Sequence, residues 1–480
     1  MLLHRRLTAF LAVAAIAFSA CAGTATPAPT AVPPAPTAAA PAPTAVPPAP
    51  TAVPVVTPVP ATVAPVVTPV PATPVPATVA PTDTPVAAAP VTIEWWHITT
   101  TDPGKSLFQS IANAYTVAHP NVKINITILE NEAFKTKLAT SLQSGEVPDL
   151  FQSWGGGIMA AQADAGVLKD ITADVASWKD TINPGALSIY AYKGVQYGIP
   201  WDMGMIGVWY NKALFTKVGI TAPPATWDDF LADVGKLKAG GIVPLAIAGK
   251  DEWPSMHLWT YLMLRIGGGD NLSQQIQTGN WNTPACTAAG QQVLALNALN
   301  PYQPGFKGAT YDNEAAAVGN GQAAMEVMGQ WAPTVEAADS TSKTGIGADL
   351  GWFPFPTVAG GAGAATDGVG GGNGIAVGKN ASPEALDFLK FFNSVANATA
   401  INSSNIGLSP VVGSETAVTD PNLQAVLAGR GKATFMQLYL DQATSPAMGT
   451  AINDATIALF DGASTPEKAC QAITDAAAAQ

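Results

Sequence analysis

Charged residues are scarce in this 480-residue chain. Only 12% of the residues are Asp, Glu, Lys or Arg, and the 34 acidic residues outnumber the 22 basic ones. The resulting net charge of −12 argues against nucleic acids and anionic membrane surfaces as ligands. Four histidines and three cysteines form no clustered ligand set, so we predict neither a metal site nor a cofactor. The hydrophobic fraction of 48% is enough for two globular domains.

The three cysteines occupy two different settings. Residues 1–20 have a basic start, an apolar run and then small residues, which is the pattern of a secretory signal peptide. The segment Phe18-Ser19-Ala20-Cys21 resembles a bacterial lipobox, with Phe where Leu is commoner, so we expect Cys21 to carry a lipid anchor. Cys286 and Cys470 remain, either as a disulfide or as two separate buried thiols.

Residues 22–90 consist almost entirely of Pro, Thr, Ala and Val, with Asp83 as their only charge. The octapeptide T-A-V-P-P-A-P-T starts at Thr30 and again at Thr44. Such a composition cannot bury a core and favours polyproline II, which extends about 3.1 Å per residue. We therefore expect residues 21–90 to form a lipid-anchored, disordered stalk.

Strands and helices alternate from Val91 onwards. Strands are predicted from Val91, over residues 122–128 and up to Trp154, with helices between them. This order is typical of a parallel α/β sheet, in which ligands bind beyond the carboxyl ends of the strands. The candidate ligand contacts that follow strand ends are His97, Glu130, Trp154 and the glycines Gly155–Gly157.

Residues 195–212 mix strand residues with features that a buried strand rarely carries. Trp201, Asp202 and Trp209 are bulky or charged, whereas Pro200 and Gly204 interrupt regular structure. One interpretation is a hinge segment that crosses between two lobes beside a ligand. The other is a buried aromatic strand with one hydrogen-bonded Asp. Packing is favoured over ligand contact for both tryptophans.

Two tryptophans of the second half also follow predicted strands. Trp253 comes after I-V-P-L-A-I-A-G-K-D-E, and Trp331 ends the strand in A-A-M-E-V-M-G-Q-W. A Trp ring offers a flat apolar surface to the face of a sugar, and carboxylates and amides pair with its hydroxyls. The glycine runs Gly155–Gly157 and Gly370–Gly372 lack the Lys-Ser/Thr of a phosphate-binding loop, so close backbone approach and hinge motion explain them better.

Five motifs occur in a fixed order: P-D-L-F-Q-S-W, I-P-W-D…W-Y-N-K, G-Q-A-A-M-E-V-M-G-Q-W, F-P-F-P-T and G-G-N-G-I-A-V-G-K-N-A-S-P-E-A-L-D-F-L-K-F-F. Together they resemble the extracellular solute-binding proteins of carbohydrate ABC transporters, the maltose-binding-protein-like family. The likeness runs from about residue 91 to 480. It implies a periplasmic-binding-protein fold of two α/β lobes, each with a mainly parallel sheet flanked by helices, joined by several hinge crossings. The implied lobes are residues 91–200 with about 370–420, and residues 201–369 with about 421–480.

The resemblance also implies a set of sugar contacts. In the first lobe, hinge and second lobe these are His97, Glu130, Trp154, Gly155, Asp202, Trp253, Trp331 and Asn373. From the residues alone, Glu130 and Asp202 keep a structural alternative as a cap or bridge, and His97 stays open. A further aromatic that some family members carry near the last helices has no evident counterpart, since Met448 lies in that neighbourhood.

The predicted function is binding without catalysis. A monomer anchored on the extracellular face of the bacterial membrane would hold a di- or oligosaccharide between closing lobes and deliver it to the permease of an ABC importer. A plant-wall xylo- or cello-oligosaccharide is the first choice of ligand, and a malto-oligosaccharide the second. Two alternatives stay open: a glycoside hydrolase with Glu130 and Asp202 as paired carboxylates, and a carbohydrate adhesin.

Overall fold

The computed structural model describes residues 89–480; the predicted signal peptide, Cys21 and the predicted stalk up to residue 88 lie outside the described residues. The described residues belong to one compact unit. Within them, no helix combines the length and the apolar composition that a membrane crossing needs.

The strands of this part of the chain are β1 (Val91–His97), β2 (Val122–Ile128), β3 (Leu150–Ser153), β4 (Ala191–Tyr192), β5 (Val195–Gln196), β6 (Gly198–Pro200), β7 (Gly204–Met205), β8 (Gly207–Asn211), β9 (Val243–Leu245), β10 (Ala323–Met328), β11 (Leu350–Phe353), β12 (Gly368–Gly371), β13 (Gly374–Val377) and β14 (Met436–Leu438).

Its α-helices are α1 (Gly104–Ala118), α2 (Asn131–Ser144), α3 (Gly156–Asp164), α4 (Thr172–Val175), α5 (Pro184–Ser188), α6 (Lys212–Lys217), α7 (Trp227–Ala239), α8 (Trp253–Thr278), α9 (Pro284–Asn297), α10 (Tyr311–Gly319), α11 (Ala332–Asp339), α12 (Pro383–Phe392), α13 (Val395–Ser403), α14 (Pro421–Lys432), α15 (Leu440–Ala443), α16 (Pro446–Phe460) and α17 (Pro466–Ala478).

The helix boundaries follow local chemistry. Helix α1 buries the stripe from Phe108 to Tyr115 that its periodicity predicts. Helix α2 begins after Glu130, whose carboxylate accepts hydrogen bonds from the first helical turn, and it ends at Gly145, which has a left-handed conformation. Thr226 caps α7 in the same way as Glu130 caps α2. Capping therefore fixes where several loops end, including loops beside the site described below.

The first lobe is built on a five-stranded sheet of order β2-β1-β3-β13-β6. Strand β1 is parallel to β2 and β3, and β13 is antiparallel to both of its neighbours. Helices α1 and α12 cover the sheet with a core that includes Trp95, Phe108 and Phe388. This packing fixes the carboxyl ends of β1, β2 and β3 along one edge.

The second lobe is built on a four-stranded sheet of order β11-β8-β10-β9. Strand β8 is antiparallel to β10 and β11, whereas β9 and β10 are parallel. The core beside this sheet draws residues from α7, α8, α9, α16 and α17, with Trp227, Trp259 and Trp281 fully buried in it. The core of the second lobe is therefore built largely from helices and large aromatic side chains.

The predicted two-lobe α/β fold is confirmed, and both sheets are of mixed type. In each sheet one strand runs against the others: β13 in the first and β8 in the second. Both strands follow a segment that crosses between the lobes, so each enters its sheet from the edge where the other strands end. The path of the chain between the lobes therefore makes these two strands antiparallel to their neighbours. The hydrophobic pattern of a single strand cannot predict this direction.

The two crossing segments run side by side. Gly370 and Gly371 of β12 pair with Met205 and Gly204 of β7 in an antiparallel ladder, and β14 completes this three-stranded sheet. A Cβ atom at Gly372 would collide with the backbone oxygen of Asp202. Glycine is needed there because the two backbones approach so closely. The residue boundaries of the lobes, including the boundary near residue 420, stay a prediction.

The second lobe contains a disulfide. Cys286 of α9 and Cys470 of α17 are bonded, with their Cα atoms 6.1 Å apart and 184 positions between them in sequence. Both are buried in the lobe core. The bridge ties the last helix of the chain to the middle of the lobe.

Candidate ligand-binding cleft

A cavity of about 260 Å³ lies between the two lobes, and we call it the cleft. Its first-lobe side consists of the loop after β1, the N-terminus of α2 and Trp154 after β3. Its second-lobe side consists of α11, α15 and the starts of α8 and α10. The loops after β1, β2 and β3 thus meet at one side of the cavity, as expected for ligand sites at the ends of parallel strands.

Five aromatic side chains form a continuous surface on the second-lobe side. This aromatic wall consists of Trp253, His257, Tyr311, Trp331 and Tyr439. The ring centroids of Trp253 lie 5.1 Å from Tyr311 and 5.3 Å from His257, and those of Tyr439 lie 5.5 Å from His257 and 5.9 Å from Trp331. The rings come from α8, α10, the end of the β10 segment and the residue before α15. Contacts between rings fix their orientation and leave flat apolar surface towards the cleft.

The wall also carries polar groups. Within residues 89–480, no hydrogen-bond partner reaches the buried Nε1 of Trp253, whereas the imidazole of His257 lies near the backbone of Val327 and the hydroxyl of Tyr439 lies near Gln330. Burial lowers the pKa of His257 to about 3, so its imidazole is neutral at pH 7. The wall therefore combines flat ring surfaces with an indole N–H, an imidazole and a phenol hydroxyl, which are groups that can hydrogen-bond to hydroxyls.

The first-lobe side has one tryptophan and more polar groups. Trp154 is half-buried and packs edge-on against Phe134, with centroids 6.1 Å apart. The Nζ of Lys135 lies 5.8 Å from the Trp154 ring and 2.8 Å from Oε1 of Glu132. Glu130 also lines the cleft, although its carboxylate accepts hydrogen bonds from the backbone N–H of Glu132 and Ala133 at 3.0 and 3.3 Å. The structural alternative for Glu130, a helix cap, is thus present in the structure.

Asp202 is fully buried at the hinge and does not line the cleft. Its Oδ2 accepts hydrogen bonds from Nε2 of Gln330 at 2.6 Å and Nδ2 of Asn373 at 2.9 Å, and its Oδ1 accepts one from the backbone N–H of Leu408 at 2.7 Å. Burial raises the pKa of Asp202 to about 6, against the opposing effect of these hydrogen bonds and of Arg430. This geometry corrects the expectation of a direct sugar contact, because the carboxylate joins protein segments.

Asn373 does line the cleft, but protein groups hold its amide. Its Oδ1 accepts a hydrogen bond from Nε2 of Gln152 at 2.8 Å, and its Nδ2 donates to Asp202. Gln152 belongs to β3, so this chain of hydrogen bonds links the first sheet to the hinge. At most one N–H of the Asn373 amide is left for a ligand.

Two other expected contacts lie outside the cleft lining. His97 is 2% exposed, packs 5.3 Å from Phe108 and accepts a hydrogen bond at Nδ1 from the backbone N–H of Thr99. Burial lowers its pKa to about 4. Gly155 has a φ of 70° and faces the backbone of Ile189, so it shapes the start of α3. Both residues therefore lie beneath the loops of the cleft and support those loops, and neither faces the cavity.

Sequence patterns missed part of the wall. His257, Tyr311 and Tyr439 were not among the candidates, although each lies at or near the start of a helix. Tyr439 provides an aromatic nine positions before Met448, so the expectation that this neighbourhood lacks one is wrong. Met448 itself is buried in the second-lobe core. The signal that could have found Tyr439 is an aromatic residue directly before the short helix L-D-Q-A.

Trp201 and Trp209, for which the sequence favours packing over ligand contact, are both buried. Trp209 is fully buried, and its Nε1 donates to the backbone oxygen of Gly329 at 2.9 Å. Trp201 belongs to the first-lobe core and presents only an edge to the cleft, with 5% exposed. Neither ring offers a free face to a ligand.

A second cavity, of about 620 Å³, continues the cleft at its acidic end. We call it the annex; its charged lining residues are Glu130, Glu132, Lys135, Lys250, Asp251, Glu252, Asp312 and Asp441. No group of three or more His, Cys, Asp or Glu side chains within residues 89–480 has an arrangement that could hold a metal ion. The annex can therefore act on a ligand through its charge and its shape. Its carboxylates can accept hydrogen bonds from hydroxyls.

Three buried glutamates lie in the second lobe on α10, β10 and α11, the segments that carry Tyr311 and Trp331. Glu314, Glu326 and Glu336 are at most 1% exposed. Burial raises the pKa of all three, to about 7 for Glu326 and well above the ordinary range for the other two. Much of this cluster is therefore protonated at neutral pH, and buried charge is avoided.

The pair considered for glycoside hydrolysis does not meet at the cavity. Hydrolysis requires two carboxylates on either side of one glycosidic bond. Glu130 lines the cleft, but the carboxylate of Asp202 is enclosed by Gln330, Asn373 and Leu408. This geometry does not support the two residues as a catalytic pair.

Comparison with known proteins gives a consistent result. Residues 99–399 match the model of a family described as bacterial extracellular solute-binding protein. An uncharacterized ABC transporter extracellular-binding protein of Pyrococcus horikoshii is 27% identical over 275 residues, which are 55% of this chain and 60% of that protein. The multiple sugar-binding protein of Streptococcus mutans is 26% identical over 254 residues, or 49% and 56% of the two chains. The match therefore spans less than two thirds of either relative.

A solved structure extends the comparison to the fold. It comes from work on xylan utilization by the thermophilic bacterium Caldanaerobius polysaccharolyticus and superposes with a TM-score of 0.75 at 27% sequence identity. The superposition covers 80% of this chain and 99% of the other. The likeness thus includes both lobes of the described part.

Proposed function

Since this chain belongs to the bacterial extracellular solute-binding protein family, we propose that it captures a di- or oligosaccharide in the cleft and delivers it to an ABC importer. The role is binding without catalysis. The family match over residues 99–399 and the sugar-binding relative of Streptococcus mutans support this proposal.

One observation carries the choice of a saccharide. The aromatic wall combines flat ring surfaces with the indole N–H of Trp253, the imidazole of His257 and the hydroxyl of Tyr439. A pyranose has the complementary surface, because its C–H faces are apolar and its edge is a ring of hydroxyls. A purely apolar ligand would not use these polar groups.

Binding proceeds by closure of the two lobes. A sugar between Trp154 and Trp331 would contact both lobes at once, so its contacts favour the closed state over an open one. The paired strands β7 and β12 are the flexible connection in this proposal. The closed protein then presents its surface to the permease.

The ligand is longer than a monosaccharide in this proposal, because the annex extends the cleft beyond one ring. A plant-wall xylo- or cello-oligosaccharide is our first choice, and a malto-oligosaccharide the second. The structural relative from a study of xylan utilization favours the first choice. Within the same proposal the protein is a monomer, Cys21 carries the lipid, and the stalk holds the lobes away from the extracellular face of the membrane.

A thermal-shift screen of the full-length protein tests this function. The panel contains xylose, xylotriose, cellotriose and maltotriose, with the disaccharide of each series. A ligand that binds only the folded state raises the melting temperature by mass action. At a hundredfold excess over Kd it adds about 2.7 kcal/mol to the free energy of unfolding. We expect at least one oligosaccharide to raise it and xylose to have little effect. Identical melting with every saccharide would refute the proposal.

A further inference from the structure

The cleft and the annex form one continuous site. They share six lining residues, namely Glu130, Lys135, Asp251, Asp312, Asp441 and Gln442. A ligand that rests on the aromatic wall and extends past one ring therefore enters the annex. The charge of the annex therefore affects which ligands can bind.

Carboxylates outnumber cations in the annex by six to two. One of the two lysines, Lys135, already has an acidic partner, since its Nζ lies 2.8 Å from Glu132. Burial raises the pKa of Asp312, and the charge of Glu130 raises it further. Burial likewise raises the pKa of Asp251, with added repulsion from Glu132 and Glu130. The carboxylates are thus close enough to repel one another, and an additional anion would meet the same repulsion.

The arginines of the described residues are committed elsewhere, which leaves Lys250 as the annex cation that could pair with an anionic ligand. None of the arginines within residues 89–480 lines the cleft or the annex. Arg265 donates to the backbone oxygens of Phe355 and Asp367, and Arg430 donates to that of Met203. The neutral imidazole of His257 adds no charge at pH 7. A sugar carboxylate would therefore lack the guanidinium partner that usually recognises it.

The aromatic side of the site also suits an uncharged ligand. Trp253, His257 and Tyr439 line the cleft, and their indole N–H, neutral imidazole and hydroxyl are groups that can pair with sugar hydroxyls. The carboxylates of the annex can accept hydrogen bonds from further hydroxyls of the same ligand.

We propose that the continuous site admits neutral saccharides and excludes those that carry a carboxylate, with Asp312 as a specificity-determining residue. The inference rests on the proposed function and names its substrate class. An oligosaccharide that bears a uronic acid would bring a negative charge next to these carboxylates. Like charges brought together in this way repel one another.

The test is calorimetric titration of the full-length protein at pH 7. The neutral probes are xylotriose, cellotriose and maltotriose. The anionic probes are xylotriose with one glucuronic acid substituent, and trigalacturonic acid. We expect each anionic probe to bind at least about tenfold more weakly than the best neutral probe, and the difference to shrink as salt screens the repulsion.

Two variants locate the effect. Asp312→Asn removes one charge from the annex and is expected to narrow the ratio of neutral to anionic affinity by about threefold or more. Asp180→Asn is the matched control, because the Asp180 side chain is 88% exposed and lines neither the cleft nor the annex. The control should leave the ratio unchanged.

The outcomes separate this inference from the proposed function. An anionic probe that binds as tightly as the best neutral one overturns the charge selection and leaves saccharide binding intact. An unchanged ratio in Asp312→Asn overturns the role of that residue. Failure of all five probes to bind overturns the proposed function, and this inference with it.

Discussion

The two lobes contribute to the cleft in different ways. The first lobe offers one tryptophan, a helix N-terminus and a loop, all held by the ends of parallel strands. The second lobe offers the five rings of the aromatic wall, and it also contains a disulfide and three buried glutamates. Under the proposed function, the second lobe would supply most of the surface that binds the saccharide, and the first lobe would close over it.

The largest expected effect is the loss of stability on removing the disulfide of the second lobe. Replacing both Cys286 and Cys470 by Ser should lower the free energy of unfolding by about 4 kcal/mol, because the bridge closes a long loop in the unfolded chain. We expect the loss in the second lobe only. Hydrogen exchange by lobe would check it, and equal loss of protection in both lobes would contradict it. The single variant Cys21→Ser, whose residue lies outside the described part, is the control.

The buried glutamates predict a pH dependence of the second lobe. Their folded-state pKa values are raised, so the native state binds more protons than the unfolded one. Stability is therefore greatest below about pH 4.5, the ordinary pKa of Glu, and falls as the pH rises through about 7, by roughly 3 kcal/mol for Glu326.

Urea unfolding at pH 5 and pH 8 measures this dependence. Glu326→Gln should flatten it, because the amide does not titrate. The control Glu467→Gln changes an exposed side chain and should not alter the slope. A steeper fall in Glu326→Gln than in the wild type would contradict the assignment.

Removal of the Trp331 ring from the aromatic wall should give the next largest effect, a loss of ligand affinity. Trp331→Ala is expected to cost about 2–3 kcal/mol of binding free energy, on the scale of a buried aromatic anchor. Calorimetric titration with the best saccharide of the screen measures the loss. Trp352→Ala is the matched control, since Trp352 is also half-buried but does not line the cleft. Equal losses in the two variants would point to general destabilisation.

The first-lobe tryptophan should matter less. Trp154→Ala is expected to cost about 1–2 kcal/mol of binding free energy, because Trp154 is the single aromatic platform on its side. Trp96→Ala, a half-buried ring of the same lobe outside the cleft, is the control. A larger loss in Trp154→Ala than in Trp331→Ala would reverse the proposed division between the lobes.

The sequence predicts the parts of the site that depend on local patterns. Trp154, Trp253 and Trp331 follow strands, and the structure brings all three to the cleft. Glu130 follows a strand as well, and its position next to a helix start explains both its exposure and its cap. Positions at strand ends are predictable because period-two and helical patterns show where strands stop.

The rest of the site depends on contacts that are distant in sequence. Asp202 is enclosed by Gln330, Asn373 and Leu408, which lie 128, 171 and 206 positions away. Tyr439 reaches the cleft through the packing of the last helices, which no local pattern describes. The reversed strands β8 and β13 follow from the path of the crossings, for the same reason.

The carboxylate of Asp202 also sets the kind of motion that the molecule can make. Three segments meet on its two oxygens inside a dry environment, so translation of one lobe along the other would break hydrogen bonds that water cannot replace. Rotation about this point preserves them. In the proposed closure, saccharides of different length should therefore change the angle between the lobes. They should not shift one lobe along the other, because Asp202 acts as a fixed pivot.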